Sequence, residues 1–207
     1  ELRPQHLSNI AWAFAKVHFL NEQLMAEISR QAQHQMPQFG AQNVGNLVWA
    51  FAKLLFEDAP LIAAVSEAAV RKIRSCGHQE IGNIAWAFAT FGVRDVPLLD
   101  AIAAEAQCTV EKFNAQGVAN TAWALAKLSY QNLPFFETMA SAALAGMDNW
   151  DPQAIANIAW ANATVSYMNE PLMTAISLRA VCIITEFTTQ NLSNTVWAYA
   201  TLRVEYE

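Results

Sequence analysis

Apolar and polar positions alternate along the chain with a helical period. Leu7, Ile10, Phe14 and Val17 fall on one face of residues 5–20, and Val44, Leu47, Phe51 and Leu54 repeat that face one unit later. Gln5, Asn9, Trp12 and Lys16 lie on the opposite side, so amides, an indole and a cation share a single stripe. Ser8, Ala11, Ala13 and Ala15 flank the apolar residues and are small enough to let a neighbouring helix come close. This segment predicts a first helix, A. After a loop that from the second unit onward ends in Pro60, Pro97, Pro134 or Pro171, a second helix, B, is expected to begin, because proline suits the first helical position. Helix B should run about thirteen residues, with Leu61, Ile62, Val65, Ala69 and Ile73 inward. Its outward side drifts, as Glu67, Ala104, Ser141 and Leu178 show at one position. An aromatic residue, Phe39, Phe113, Trp150 or Phe187, should plug the end of each hairpin, with Cys76 as the departure.

The pair of helices recurs without insertion or deletion. Trp12, Trp49, Trp86, Trp123, Trp160 and Trp197 are 37 residues apart, and Asn9, Asn46, Asn83, Asn120, Asn157 and Asn194 keep the same interval. So do Gln5, Gln42, Gln79, Gln116, Gln153 and Gln190. A fixed period of this length indicates stacked units, none of which buries its apolar face alone. The fold class expected is all-α: an α-solenoid, a right-handed superhelix of 37-residue helix-turn-helix repeats. Residues 1–207 form one elongated domain of about five and a half repeats, with helix A near 5–20, 42–56, 79–93, 116–130, 153–167 and 190–204 and helix B between. Helix A is expected to line the concave wall, since its outer positions repeat while those of helix B vary. The chain opens partway through a unit and offers no polar capping repeat, so it is expected to be a segment of a longer protein.

Composition narrows the partners. The chain is 54% hydrophobic and 14% charged, yet an asparagine interrupts every apolar run, so a membrane span is not expected. A net charge of −6 argues against a generic polyanion binder. The imbalance is local: residues 1–130 carry 10 basic and 11 acidic side chains, residues 131–207 carry 2 and 7, so nucleic-acid contacts should favour the N-terminal part. Three cysteines do not form a disulfide framework, and Cys108 and Cys182, two units apart, are expected as reduced thiols. His6, His18, His34 and His78 share no ligand-like spacing, and no metal or other cofactor is expected. Neither G-x-S-x-G, H-E-x-x-H nor a glycine-rich phosphate loop is present, so the chain is not expected to be an enzyme.

The polar stripe has the chemistry of a single-strand RNA reader: amides for base edges, an indole for stacking, a cation for phosphate. Candidate contacts are Gln42, Gln79 and Gln116, the asparagines Asn46, Asn83 and Asn120, and Lys16, Lys53 and Lys127, with Thr90, Thr164 and Thr201 at the cationic position elsewhere. A code needs a position that differs between repeats. The residue after the glutamine does: His6, Asn43, Glu80, Gly117, Ala154, Asn191. Of these Asn43 and Asn191 have amides able to pair with base edges, and Glu80 an acceptor for an exocyclic amine. Structural roles compete at each site. The competing reading makes the tryptophans core residues, the asparagines an inter-repeat ladder, the glutamines partners for free helix-start backbone groups, and the lysines solvated charges.

The phrase L-x-N-x-A-W-A-F-A, seen in Leu7 to Ala15, Ile81 to Ala89 and Leu192 to Ala200, resembles the heptatricopeptide repeats and the related octotricopeptide repeats of organellar RNA-binding proteins. That resemblance implies an organellar protein, mitochondrial or plastid, binding single-stranded or ribosomal RNA in transcript maturation, translation or ribosome assembly. The C-terminal RAP domain of some members and the PPPEW signature of algal octotricopeptide repeats are absent from this stretch. The competing class is a protein-interaction scaffold in a larger complex, which the negative charge and apolar composition favour.

Overall fold

A computed structural model describes residues 2–203, and every regular element among them is helical. The A helices are α1 (Pro4–Lys16), α3 (Ala41–Lys53), α5 (His78–Phe91), α7 (Ala115–Lys127), α9 (Pro152–Thr164) and α11 (Thr189–Leu202). The B helices are α2 (Glu22–Gln35), α4 (Ala59–Lys72), α6 (Val96–Thr109), α8 (Leu133–Gly146) and α10 (Glu170–Cys182), each followed by a single 3-10 turn. The A helices end sooner than the apolar pattern implies, and the last expected residue, 204, lies outside the described set.

Their termination is the same in every repeat. His18, Leu55, Gly92, Ser129, Ser166 and Arg203, 37 residues apart, take a left-handed conformation with φ between 53° and 72°. The next residue's N–H then reaches back to a carbonyl five residues earlier: Phe19 to Phe14, Phe56 to Phe51, Val93 to Phe88, Tyr130 to Leu125 and Tyr167 to Asn162, at 2.8–3.1 Å. This is a Schellman stop, which satisfies carbonyls the helix leaves free and joins its two ends by an apolar contact. Rings of Phe14 and Phe19 lie 5.8 Å apart, as do those of Phe51 and Phe56. Val17, expected on the buried face, is instead 71% exposed, because the helix has closed at Lys16 and the chain is turning away.

Starts are equally regular. Asn21, Asp58, Asp95, Asn132 and Asn169 cap the B helices, accepting from the N–H of Leu24, Leu61, Leu98, Phe135 and Leu172 at 2.9–3.1 Å. The prolines fall on the second helical residue rather than the first, where the N–H is still outside the helical ladder. Ser29 and Ser66 donate to the carboxylates of Asp58 and Asp95, tying each B helix to the cap of the next. In the later repeats the caps are asparagines, and they donate to the hydroxyls of Tyr130 and Tyr167.

The chain divides into two compact units, Glu1–Glu105 and Ala106–Glu207. In the first, α1 packs on α3 and α3 on α5, with α2 against α4 beside them. In the second, α7 packs on α9 and α9 on α11, with α8 against α10. Successive hairpins thus stack side by side within each unit, in the manner of an α-solenoid, and the A layer is the more closely packed. Small residues account for that: Ala11, Ala15, Ala50, Ala52, Ala122 and Ala126 are fully buried. Gly45 in α3 meets the backbone of α5, where a Cβ would stand 3.4 Å from Glu80 Cα. Of the expected plugs, Phe39 and Trp150 are buried and Phe113 and Phe187 half-buried; Ile73, expected inward, is half-buried in a 3-10 turn.

Candidate nucleic-acid interface

The stripe read from the sequence survives as a surface of the A helices. Gln5, Gln42 and Gln79 in the first unit are exposed, as are Gln116, Gln153 and Gln190 in the second. Helix-start N–H groups are met by the next residue, the variable one. Nδ1 of His6 accepts from the Arg3 N–H, Oδ1 of Asn43 from Gly40, Oε2 of Glu80 from Gly77 and Oδ1 of Asn191 from Thr188, at 2.9–3.3 Å. Asn43 also donates to Ser8 Oγ across α1 and α3, at 3.3 Å. In the two repeats with Gly117 and Ala154 the relation reverses, and the preceding Asn114 and Asp151 accept from their N–H groups at 2.8 and 2.7 Å. The variable position thus also takes part in helix capping, as acceptor or, at Gly117 and Ala154, through its N–H.

The tryptophans answer to both alternatives at once. Trp49, Trp86, Trp123 and Trp160 are half-buried, whereas Trp12 and Trp197 are 42% and 45% exposed. In the first unit the rings of Trp49 and Trp86 are 6.4 Å apart. In the second, Trp123, Trp160 and Trp197 form a row at 6.2 and 6.1 Å, tilted by 40° and 30°. These separations fit offset or tilted aromatic packing, which stiffens the row while leaving outer edges open. Lysine covers one ring in each unit: Lys16 Nζ stands 5.4 Å from the Trp12 centroid and Lys127 Nζ 4.8 Å from that of Trp123. Lys53 is exposed in the last turn of α3. Thr90 and Thr164 fold back to donate to the carbonyls of Trp86 and Trp160, so those repeats offer no hydroxyl proton outward.

In the second unit asparagine supplies a rung between helices, where Asn157 Nδ2 donates to Asn120 Oδ1 at 3.2 Å. Asn46 and Asn83 are half-buried on the same stripe. The lysines of the stripe make no ion pair among the described residues; the pairs present, Glu27 with Arg30 and Glu67 with Arg71, lie along exposed helices α2 and α4. The three cysteines are free thiols, and no helix of the described residues is long and apolar enough to cross a membrane.

Stacked two-helix units with a periodic face of amides and indoles define an α-helical repeat protein. The family model of the RNA-editing substrate-binding complex 6 protein matches residues 1–207, and the chain belongs to that family. A comparison with curated proteins finds no match. Membership places the chain among RNA-related helical-repeat proteins, the coarser part of what the heptatricopeptide resemblance implied. The family description speaks of RNA editing and not of ribosomes or heptatricopeptide repeats.

Proposed function

We propose that the chain is a component of an RNA-editing complex that holds single-stranded RNA along the Gln, Asn, Trp and Lys face of its A helices, in an organellar, mitochondrial setting and with no reaction of its own. The indole rows support this most directly. Rings about 6 Å apart with open edges, overhung by lysine, join a stacking surface to a cation, and stacking on aromatic side chains is worth about 1–3 kcal/mol per base. Glutamine amides beside the row remain exposed for base edges. Because these residues recur in every repeat while the variable position is engaged in helix caps, the face suits single strands of many sequences rather than one. The overall negative charge supports a second role, as a scaffold for protein partners.

Fluorescence anisotropy with a labelled mixed-sequence single-stranded RNA tests the proposal. Trp12→Ala and Trp197→Ala, at the two most open indoles, are each expected to weaken binding by at least about fivefold, equivalent to about 1 kcal/mol, with little change in melting. Lowered melting with unaltered affinity would assign the indoles to packing alone and remove the RNA track.

A further inference from the structure

The second unit contains a cleft larger than the one of about 450 Å³ that Arg30, Gln31, His34 and Gln35 line in the first. Its volume is about 830 Å³, within the range of about 300–1,000 Å³ typical of ligand pockets. The wall from α8 is made of Ser141, Ala142, Ala145 and Gly146. At the matching positions α2 carries Arg30, Gln31, His34 and Gln35, and α4 carries Glu67, Ala68, Arg71 and Lys72. Phe113 contributes a half-buried aromatic flank, and Glu111 and Asp151 are the charged residues of the lining.

Comparison at the repeat interval says what is missing. In the first unit Lys72 Nζ crosses to the preceding 3-10 turn and donates to the Pro37 carbonyl at 3.5 Å. Two periods on, the lysine position is Gly146 and the proline position is Glu111. The chain's own cation is gone, and an acidic residue, Glu111, lines the cleft from the turn that it would have reached. Acidic charge with no basic residue in the lining disfavours a phosphate chain, whereas a lysine or arginine brought from outside would meet Glu111 as Lys72 meets its carbonyl. The small residues and Phe113 leave room beside it for an apolar side chain.

We propose that this cleft is a docking site for a protein segment that presents an apolar side chain next to lysine or arginine. It adjoins the RNA face at Gln116, which lines one side, but the proposal does not rest on RNA binding. A short labelled peptide with a leucine between lysines is the probe, with a second peptide carrying glutamates in their place. The full chain should bind the first and not the second. Gly146→Lys restores the arrangement of the first unit; a Cβ there approaches Trp150 Nε1 to 3.3 Å, so a small shift of the indole accommodates it. Ala145→Arg, on an exposed position whose counterpart in α4 is Arg71, fills the cleft without that shift. Each is expected to weaken the peptide by about tenfold, and Glu111→Gln by about threefold. RNA affinity should be unaltered in all three. Equal binding of both peptides, no binding of the lysine peptide, or insensitivity to both filling substitutions would each overturn the proposal.

Discussion

Cys76 occupies the place where other repeats put an aromatic plug, and its chemistry follows from that place. The thiol is buried, donates to the Lys72 carbonyl at 3.6 Å, and is pushed from an ordinary value near 9 up to about 11, first by burial and then by the charges of Glu80 and Glu105. Since the folded protein holds this proton more tightly than the unfolded chain, the associated stability is present at neutral pH and is lost as pH rises from about 9 towards 11. Only the thiolate is nucleophilic. Near pH 8 a mild alkylating reagent is therefore expected to modify the exposed Cys108 and Cys182 and to spare Cys76 until the chain is denatured, as peptide mass mapping would show. Equal labelling of all three in the native protein would mean that the hairpin end opens. The departure at Cys76 was legible in the sequence as a break in an aromatic series; its inertness was not, because it depends first on burial, which only the packed hairpins provide, and then on Glu80 and Glu105.

At the scale of the element, the helix stops were hidden and the helix faces were not. Apolar spacing identified both helices, since burial against neighbours is periodic and periodicity is written in the residues. The left-handed stop recurs every 37 residues, yet glycine marks it only at Gly92; histidine, leucine, serine and arginine hold the same geometry elsewhere, so composition gave no sign. The stop survives without glycine because two backbone bonds and an apolar contact over-determine it. A left-handed residue with a Cβ costs about 1–2 kcal/mol, while glycine's added freedom in the unfolded chain costs about 0.5–1 kcal/mol. Leu55 is 74% exposed and has little burial to lose. Leu55→Gly should accordingly stabilise the protein by about 0.5–1 kcal/mol in chemical denaturation, with the slope unaltered. A loss of stability would mean that the leucine has a covering contact. The capping role of the variable residue after each glutamine was hidden for a related reason: it shows only when that residue is paired with the cap three positions before it.

For the molecule as a whole, charge decides what kind of RNA binding is physically open to it. With 12 basic and 18 acidic side chains, the chain has no field that would draw in a polyanion from a distance. The row of tryptophans was visible from sequence spacing alone, but its openness to solvent depends on how closely alanine lets the A helices approach, and the cleft of the second unit depends on how the small residues of α8 face Phe113 and Trp150. On the proposed face the cations are Lys16, Lys53 and Lys127, two of them held over indoles. Each phosphate contact on a single strand adds about 0.7 to the slope of log affinity against log salt, so three lysines set a ceiling of about 2. Affinity that rests on stacking should fall only gently as salt is raised, unlike that of a basic groove with many phosphate contacts. Replacing all three lysines by glutamine should take the slope close to zero while stacking-dependent binding persists. A slope well above 2, or one indifferent to these substitutions, would place the phosphates on other cations and move the RNA off the A helices.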